Sequence, residues 1–460
     1  MTKCYHFCGI GGSGMLPLAA IVASGGATVT GSDRALDAGR LSAKFDYLKR
    51  LGIELFAQDG SGLADGVTLV TSAAVESTIP DVVRAAELGL PHFTRPQLLA
   101  ELLNAAATSV AVGGTSGKST VTGMIGWMLH DTGQRPTVMN GAVMKNFVSP
   151  DAPFASALVG NPNLFVSEVD ESDGSIALYR PKVAVLGNVS LDHHGLDELR
   201  ALFGAFLSRA GIAVVNLDDP EVRAMAESLP PAHLIGFGID SPGAALSARD
   251  VTLTDDGSRF SLSVAGETHE VTLAVPGRHN ILNALAALGA IHALGQPLAP
   301  AIAALGRFAG LRRRLETVGT AGDVTVIDDF AHNPDKIAAS LATVAAHPGR
   351  LLVMFQPHGF GPLAKMGDEL AATFADGLRD GDRLYLPDPV YQGGTVDKAR
   401  GADWLAEQVR ALGGDAQHVA DRAAIGDMLI AEAATGDRII IMGARDDTLS
   451  EYAANLLERL

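Results

Sequence analysis

Lys118 and Ser119 stand where a glycine-rich turn, Gly113-Gly114-Thr115-Ser116-Gly117, meets the start of a helical run. Val110–Val112 before the turn has β character, and Met124, Ile125, Trp127, Met128 and Leu129 after it recur at helical spacing. Strand, glycine loop, Lys-Ser and helix in that order make a phosphate cradle. Glycines let backbone N–H groups turn inward around an anion, and the helix start adds orphan donors and a positive dipole end. In such a loop Lys118 supplies a point charge for β/γ-phosphates, and the Ser119 hydroxyl suits Mg²⁺. The spacing is shorter than G-x-x-x-x-G-K-[ST], because Val112 occupies the place of the first glycine. The plainer reading, a strand–helix turn with a surface lysine, leaves the Lys-Ser pair at the helix start unexplained.

A second glycine loop, Gly9-Ile10-Gly11-Gly12-Ser13-Gly14, follows a strand over residues 3–8 and opens a helix reaching about Ser24. A strand at Ala27–Thr30 leads to Gly31-Ser32-Asp33, an acid about 20 residues on. By that rule alone the loop binds a nicotinamide dinucleotide, and the chain is an oxidoreductase. The broader reading is that it holds some diphosphate on backbone amides, and the plainest is that its glycines only allow close helix–strand packing.

Acids cluster after a third strand, Leu164–Val169, in Glu168-Val169-Asp170-Glu171-Ser172-Asp173. Carboxylates at a strand end beside a phosphate loop are placed to hold a nucleotide's Mg²⁺, whereas alone they read as a solvated turn. The strand Val183–Leu186 ends in Gly187-Asn188-Val189-Ser190-Leu191-Asp192-His193-His194. This His pair admits a metal, a phosphate or a structural role; without a second pair at ligand spacing it does not define a zinc site. Arg278, His279, Asn280 and Asn283 gather polar groups at the start of a helix running to about Leu294, suiting a nucleotide or simple capping. Near the C-terminus, Asp328-Asp329-Phe330-Ala331-His332-Asn333-Pro334, Gln356-Pro357-His358-Gly359 and Gly443-Ala444-Arg445-Asp446 follow β-type runs. In doubly wound sheets the ligand sits outside such strand ends.

The elements that carry these residues alternate β and α along the whole chain. Strands are expected at Thr68–Thr71, His92–Thr94, Thr137–Asn140, Ile212–Asn216, Arg259–Val264, Thr268–Ala274, Val324–Asp328, Leu351–Phe355, Arg383–Leu386 and Arg438–Met442, with helices near Pro80–Leu88 and Pro96–Ala106. With 460 residues the chain exceeds one ordinary core. Breaks after Ala107 and near Leu305–Gly310 divide it into residues 1–107, 108–308 and 309–460. The composition, 47% hydrophobic and 19% charged with 52 glycines, is that of an α/β protein rich in tight turns. A net charge of −17 argues against nucleic acid and anionic membrane as partners. Two cysteines, Cys4 and Cys8, sit on one short strand, about 13 Å apart and too far to bridge. A reduced, cytoplasmic setting is expected, with no targeting segment and no span.

Read together, the motifs resemble the Mur ligase family, ATP-dependent amide-bond-forming enzymes of peptidoglycan synthesis and recycling. HFCGIGGSGM, GGTSGKST, EVDESD, GNVSLDH, PGRHNILNA and IDDFAHNP look like family signatures in family order. The resemblance implies a Rossmann-like UDP-binding domain, a central P-loop ATPase-type domain and a C-terminal Rossmann-like domain. It replaces the nicotinamide reading with a UDP-sugar held by Gly11, Gly12, Ser13, Gly14, Ser32, Asp33 and Ser72. It assigns ATP to Gly114, Thr115, Ser116, Gly117, Lys118, Ser119, Thr120, Asn280, Arg314 and Asp329, and Mg²⁺ to Ser119, Glu168 and His193. Lys118, Glu168 and His193 become the catalytic set, and His332 and His358 face the amine. The implied substrates are UDP-N-acetylmuramate, ATP and L-alanine or a peptide, with the enzyme a monomer or homodimer. HFCGIGGSGM looks like the branch that adds L-alanine. Gly359, where that branch usually has Arg, and Asn333 after His332 depart from its pattern, and the segments RRRLE and AKMGDEL are more like the branch that reattaches a tripeptide in recycling.

Overall fold

The structure is a computed structural model describing residues 3–73, 75–190, 195–239, 241–254, 257–390, 398–444, 446 and 448–460. It divides into two units, Met1–Gly310 and Leu311–Leu460.

The first unit holds two sheets. In the smaller, β1 (Cys4–Cys8) lies centrally, with β2 (Thr28–Ser32) and then β3 (Glu54–Phe56) on one side, β4 (Val67–Thr71) and then β5 (His92–Thr94) on the other. All pairings are parallel. Chain order reverses at β1, so the loop after it opens at a topological switch point. The helix Met15–Ser24 is buried over eight of its residues, as its apolar sequence MLPLAAIVAS requires.

The larger sheet contains β6 (Thr108–Gly113), β7 (Pro136–Met139), β8 (Ala157–Leu158), β9 (Asn161–Glu168), β10 (Val183–Leu186), β11 (Ile212–Asn216), β12 (Leu234–Ile239), β13 (Leu246–Thr254), β14 (Gly257–Val264) and β15 (Glu267–Leu273), in the order β15-β14-β13-β12-β11-β10-β6-β9-β7-β8. β6 runs parallel to β10 and β9 on its two sides. Its TSVAVG sequence is nearly all buried, as expected for a strand covered on both faces. Phe203 and Phe206, on the helix Leu196–Ser208, are fully buried. A Cβ on Gly113 would meet both rings, at 3.4 and 3.3 Å. Each ring's burial is worth roughly 1.5–3 kcal/mol, and together they wall the strand end from which the phosphate loop springs.

The second unit has one sheet, β16 (Glu316–Ala321), β17 (Val324–Asp329), β18 (Leu351–Gln356), β19 (Arg383–Leu386), β20 (Ala416–His418) and β21 (Arg438–Gly443), ordered β16-β17-β21-β18-β19-β20. β16 is an antiparallel edge on an otherwise parallel sheet. Sequence reading missed β3, β8, β16 and β20, which are short or at an edge, the interior strands β12 and β13, and helices including Ser42–Arg50 and Leu196–Ser208. No helix among the described residues is long and apolar enough to cross a membrane.

Candidate active site

The phosphate loop is held in shape by one asparagine from the neighbouring strand. Because β10 runs beside β6 in register, Gly113 facing Leu186, Asn188 arrives alongside the loop. Its Oδ1 accepts from Thr115 Oγ1 and from the Ser116 N–H, both at 2.8 Å, and its Nδ2 donates to the Ser116 carbonyl at 3.1 Å. The Thr115 N–H donates to the Asn188 carbonyl at 3.2 Å. Gly117 adopts φ +80°, and a Cβ there would lie 2.5 Å from Asn283 Oδ1. Only glycine meets both conditions. Asn283 in turn donates to Asn280 Oδ1 at 3.0 Å, and Asn280 donates to the Pro276 carbonyl at 2.7 Å. The expected nucleotide residue Asn280 is therefore buried as a tie at the start of the helix Arg278–Ala293, and Asn283 is the residue that reaches the loop.

Lys118 and Ser119 begin the helix Lys118–Asp131. Lys118 Nζ donates to the Gly114 carbonyl at 2.6 Å and pairs with Glu171 Oε2 at 2.9 Å. Burial works against its charge, but Glu171, Asp170 and Glu168 outweigh that and raise its pKa above the usual lysine value. Asp170 is likewise pushed up by burial, yet Lys118 and hydrogen bonds from Ser172 hold it below the usual carboxylate range. Ser119 Oγ donates to Glu168 Oε2 at 2.7 Å, and Asn140 Nδ2 fixes the Ser119 carbonyl at 2.9 Å. A Cβ on Gly141 would collide with Glu168 Oε1, so that glycine leaves room for the carboxylate. Thus Lys118, Ser119 and Glu168 are brought together as expected, and Glu171 joins them.

This cluster fits Mg²⁺. A serine hydroxyl and a carboxylate oxygen in contact are hard oxygen donors, and phosphate oxygens would complete the shell. No group of three or more His, Cys, Asp and Glu among the described residues could hold a metal ion unaided. His193, expected here, lies outside the described residues.

At the first loop the polar groups turn inward. Asp33 accepts the Gly11 N–H at 2.9 Å and the Ala35 N–H at 2.8 Å, so its carboxylate ties loop to helix start. Ser32 is fully buried and donates to Asp81 Oδ2. Asp81 also accepts the Gly60 N–H at 2.7 Å and faces His6 Nε2 at 3.4 Å. Burial raises the Asp81 pKa, but His6, Ser32 and Gly60 more than reverse it. Gly12 and Ser13 are exposed, and Gly14 and Ser72 are half-buried. Ser32 and Asp33 therefore shape this loop from behind; Gly9, Ile10, Gly11 and Gly12 donate their N–H groups within the protein, which leaves the Ser13 and Gly14 N–H groups and the exposed Ser13 side chain for a ligand.

In the second unit the strand ends of β17 and β18 gather the remaining residues. The Arg314 guanidinium lies 4.4 Å over the Phe330 ring. The His332 and His358 rings meet edge to face at 5.3 Å, and His332 Nδ1 bonds the Phe330 carbonyl at 2.8 Å. Asp329 is buried, accepting from Ser340 Oγ at 2.5 Å and the Leu315 N–H at 3.1 Å, with its pKa raised by burial. Both carboxylate oxygens face protein, so Asp329 supports the Arg314 segment. That segment is strained: Arg313 and Leu315 take φ +59° and +46°.

Missed by sequence reading were Glu171, Asn188, Asn140 and the inward turn of Ser32. Glu171 and Asn188 stood inside motifs already singled out; Asn140 carried no signal.

The Mur ligase middle domain matches residues 112–291, the Mur ligase glutamate ligase domain residues 313–445, and the Mur ligase family catalytic domain residues 4–107. The UDP-N-acetylmuramate–L-alanine ligase of Streptomyces avermitilis is 35% identical, over 99% of this chain and 97% of its own length. The protein of the same name from Agrobacterium fabrum is 33% identical, over 99% and 96%. Among solved structures, the UDP-N-acetylmuramate-alanine ligase of Thermotoga maritima superimposes with a TM-score of 0.80 at 24% identity, covering 99% of this chain and 98% of that one. A murein peptide ligase from Psychrobacter arcticus gives 0.72 at 25%, covering 100% and 99%. These matches overturn the nicotinamide oxidoreductase reading of Gly9–Gly14, since all three domains belong to ligases. Matched domain by domain in chain order and aligned end to end with its relatives, the chain belongs to the Mur ligase family.

Proposed function

We propose that this protein is an ATP-dependent ligase that joins the lactyl carboxylate of UDP-N-acetylmuramate to the amine of L-alanine. The observation that carries the reading is the Lys118, Ser119, Glu168 and Glu171 cluster on the phosphate loop, in a chain a third identical to L-alanine ligases over its whole length.

A carboxylate does not condense with an amine at neutral pH, because oxide is a poor leaving group. The acceptor carboxylate attacks the γ-phosphorus of ATP, the bond to the β-phosphate oxygen breaks, and ADP leaves. The amine then attacks the acyl carbon, a proton leaves the nitrogen, and phosphate departs. Loop N–H groups from Gly114 to Gly117 would cradle the phosphates, and the Lys118 ammonium would follow the charge that develops during transfer. For that, Lys118 must exchange Glu171 for phosphate. Ser119 and Glu168 would hold Mg²⁺, which supplies charge neutralisation on the phosphates. His193 is assigned to the same site from the family resemblance. His332 and His358 form the assigned amine side and Arg314 is assigned to ATP, all within the domain at 309–460. Positioning supplies most of the rate, so no strong nucleophile is needed.

L-Alanine is chosen over the tripeptide because the end-to-end relatives above carry the L-alanine ligase name, and the substituted Gly359 alone does not outweigh them. A cytoplasmic monomer or homodimer accompanies this reading. The test is phosphate release with UDP-N-acetylmuramate and ATP, offering L-alanine, glycine, L-serine or tripeptide in turn. Release with L-alanine is expected; release with tripeptide alone would move the assignment to the recycling branch.

A further inference from the structure

Gly14 is a glycine for which its own backbone offers no reason. Its φ of −96° and ψ of −18° are open to any residue. A side chain there would crowd Arg95: a Cβ at Gly14 would lie 3.0 Å from Arg95 Cδ and 3.3 Å from Arg95 Nε, so the arginine would have to shift. Arg95 starts the helix Arg95–Ala105, just after β5 of the same sheet, and is half-buried. Thr94 and Gln97 form the capping box there without its side chain. The guanidinium makes no hydrogen bond or ion pair among the described residues, and, against the burial that raises both, its charge helps to lower the pKa values of Asp170 and Tyr179. Gly14 thus leaves room for a half-buried arginine at the end of the first loop.

We propose that Arg95 binds the diphosphate of the sugar nucleotide at the Ser13–Gly14 end of the first loop, beside which it lies. The inference rests on the reading of that loop as the UDP-sugar site. A planar guanidinium presents paired donors to phosphate oxygens, which a loop of backbone amides cannot do from the open side. Half-burial keeps the pair from full solvent screening. Arg95 thus makes the loop selective for a doubly charged diphosphate over a neutral sugar.

The test is calorimetric titration of UDP and of UDP-N-acetylmuramate into the full-length wild type, Arg95→Ala and Arg95→Lys. If the wild type does not bind UDP, the reading of the first loop fails, whatever Arg95 does. If it does, Arg95→Ala should weaken both ligands tenfold or more and by the same factor, with Arg95→Lys intermediate. In steady-state assays the loss should fall on KM for the sugar nucleotide and not on KM for ATP. Unchanged UDP affinity in Arg95→Ala would overturn the proposal, as would a loss confined to UDP-N-acetylmuramate, which would mean a contact to the sugar-borne carboxylate. Gly14→Ala provides an independent variant, which should weaken UDP by pushing Arg95 aside. In the Arg95→Ala background it should then cost little more; a full additional loss would contradict the inference.

Discussion

Two strand–glycine–helix turns in the first unit look alike from the backbone and differ in where their charges point. At Gly9–Gly14 the nearby carboxylates are tied into protein: Asp33 holds Gly11 and Ala35, and Asp81 holds Ser32 and Gly60. At Gly113–Ser119 an ammonium and a hydroxyl on the helix's first turn meet Glu171 and Glu168. On the proposed function the first arrangement would grip an anion without acting on it, and the second would set the Lys118 cation among acids that a metal-bound phosphate displaces. Glycine spacing reports the backbone shape common to both; the charge placed on the following helix separates holding a diphosphate from transferring a phosphoryl group.

The comparison breaks most sharply at Lys118. Replacing it with alanine should lower kcat by about a thousandfold or more, in the range seen for a single charge that stabilises phosphoryl transfer. UDP affinity should stay as in the wild type; turnover retained within tenfold would remove Lys118 from the mechanism.

Phe206→Ala strikes the wall beneath the second loop. A fully buried phenylalanine lost there should cost about 3–5 kcal/mol in denaturant unfolding. A loss under about 1 kcal/mol would mean the wall is not packed as described.

Asp33→Ala acts on the first loop alone. It leaves the Gly11 and Ala35 N–H groups without their acceptor, at about 1–3 kcal/mol of stability. KM for the sugar nucleotide should rise while KM for ATP stays. Equal changes in both would show that the two loops are not separate sites.

Glu171→Gln sharpens the other side. Without that carboxylate the Lys118 ammonium loses its main partner, so the ligand-free protein should melt lower and gain more from ATP than the wild type does. An equal thermal shift by ATP in both would mean Glu171 does not stand in for phosphate.

The last effect concerns pH. Burial lowers the His279 pKa from 6.5 to about 4. As pH falls below 6.5 the unfolded chain takes up that proton while the folded protein does not, so stability is full above 6.5 and declines toward pH 4. His279→Asn should flatten that part of the melting-temperature profile; an unchanged slope would assign the decline to other groups.

Much of this was legible because it is local. β1, β6, β10 and β18 stand out as apolar runs, and Lys118-Ser119 directly follows its own glycines. Glu168 could be placed by its strand end alone. What was not legible depends on pairings across the chain. Asn188 reaches Thr115 only because β10 lies beside β6. Ser32 looked ligand-facing until Asp81, 49 residues away, took its hydroxyl. Arg95 meets Gly14 because β5 and β1 share a sheet. Short edge strands such as β3 and β20 carry three residues each, too few for a period to show.

On the proposed function the two loops hold two different nucleotides at once. Titrating ATP into protein saturated with UDP, and UDP into protein saturated with a non-hydrolysable ATP analogue, tests it most directly. Both should bind with affinities little changed by the other, and Lys118→Ala should abolish only the ATP analogue. Mutual exclusion, or loss of both ligands in that variant, would contradict the account.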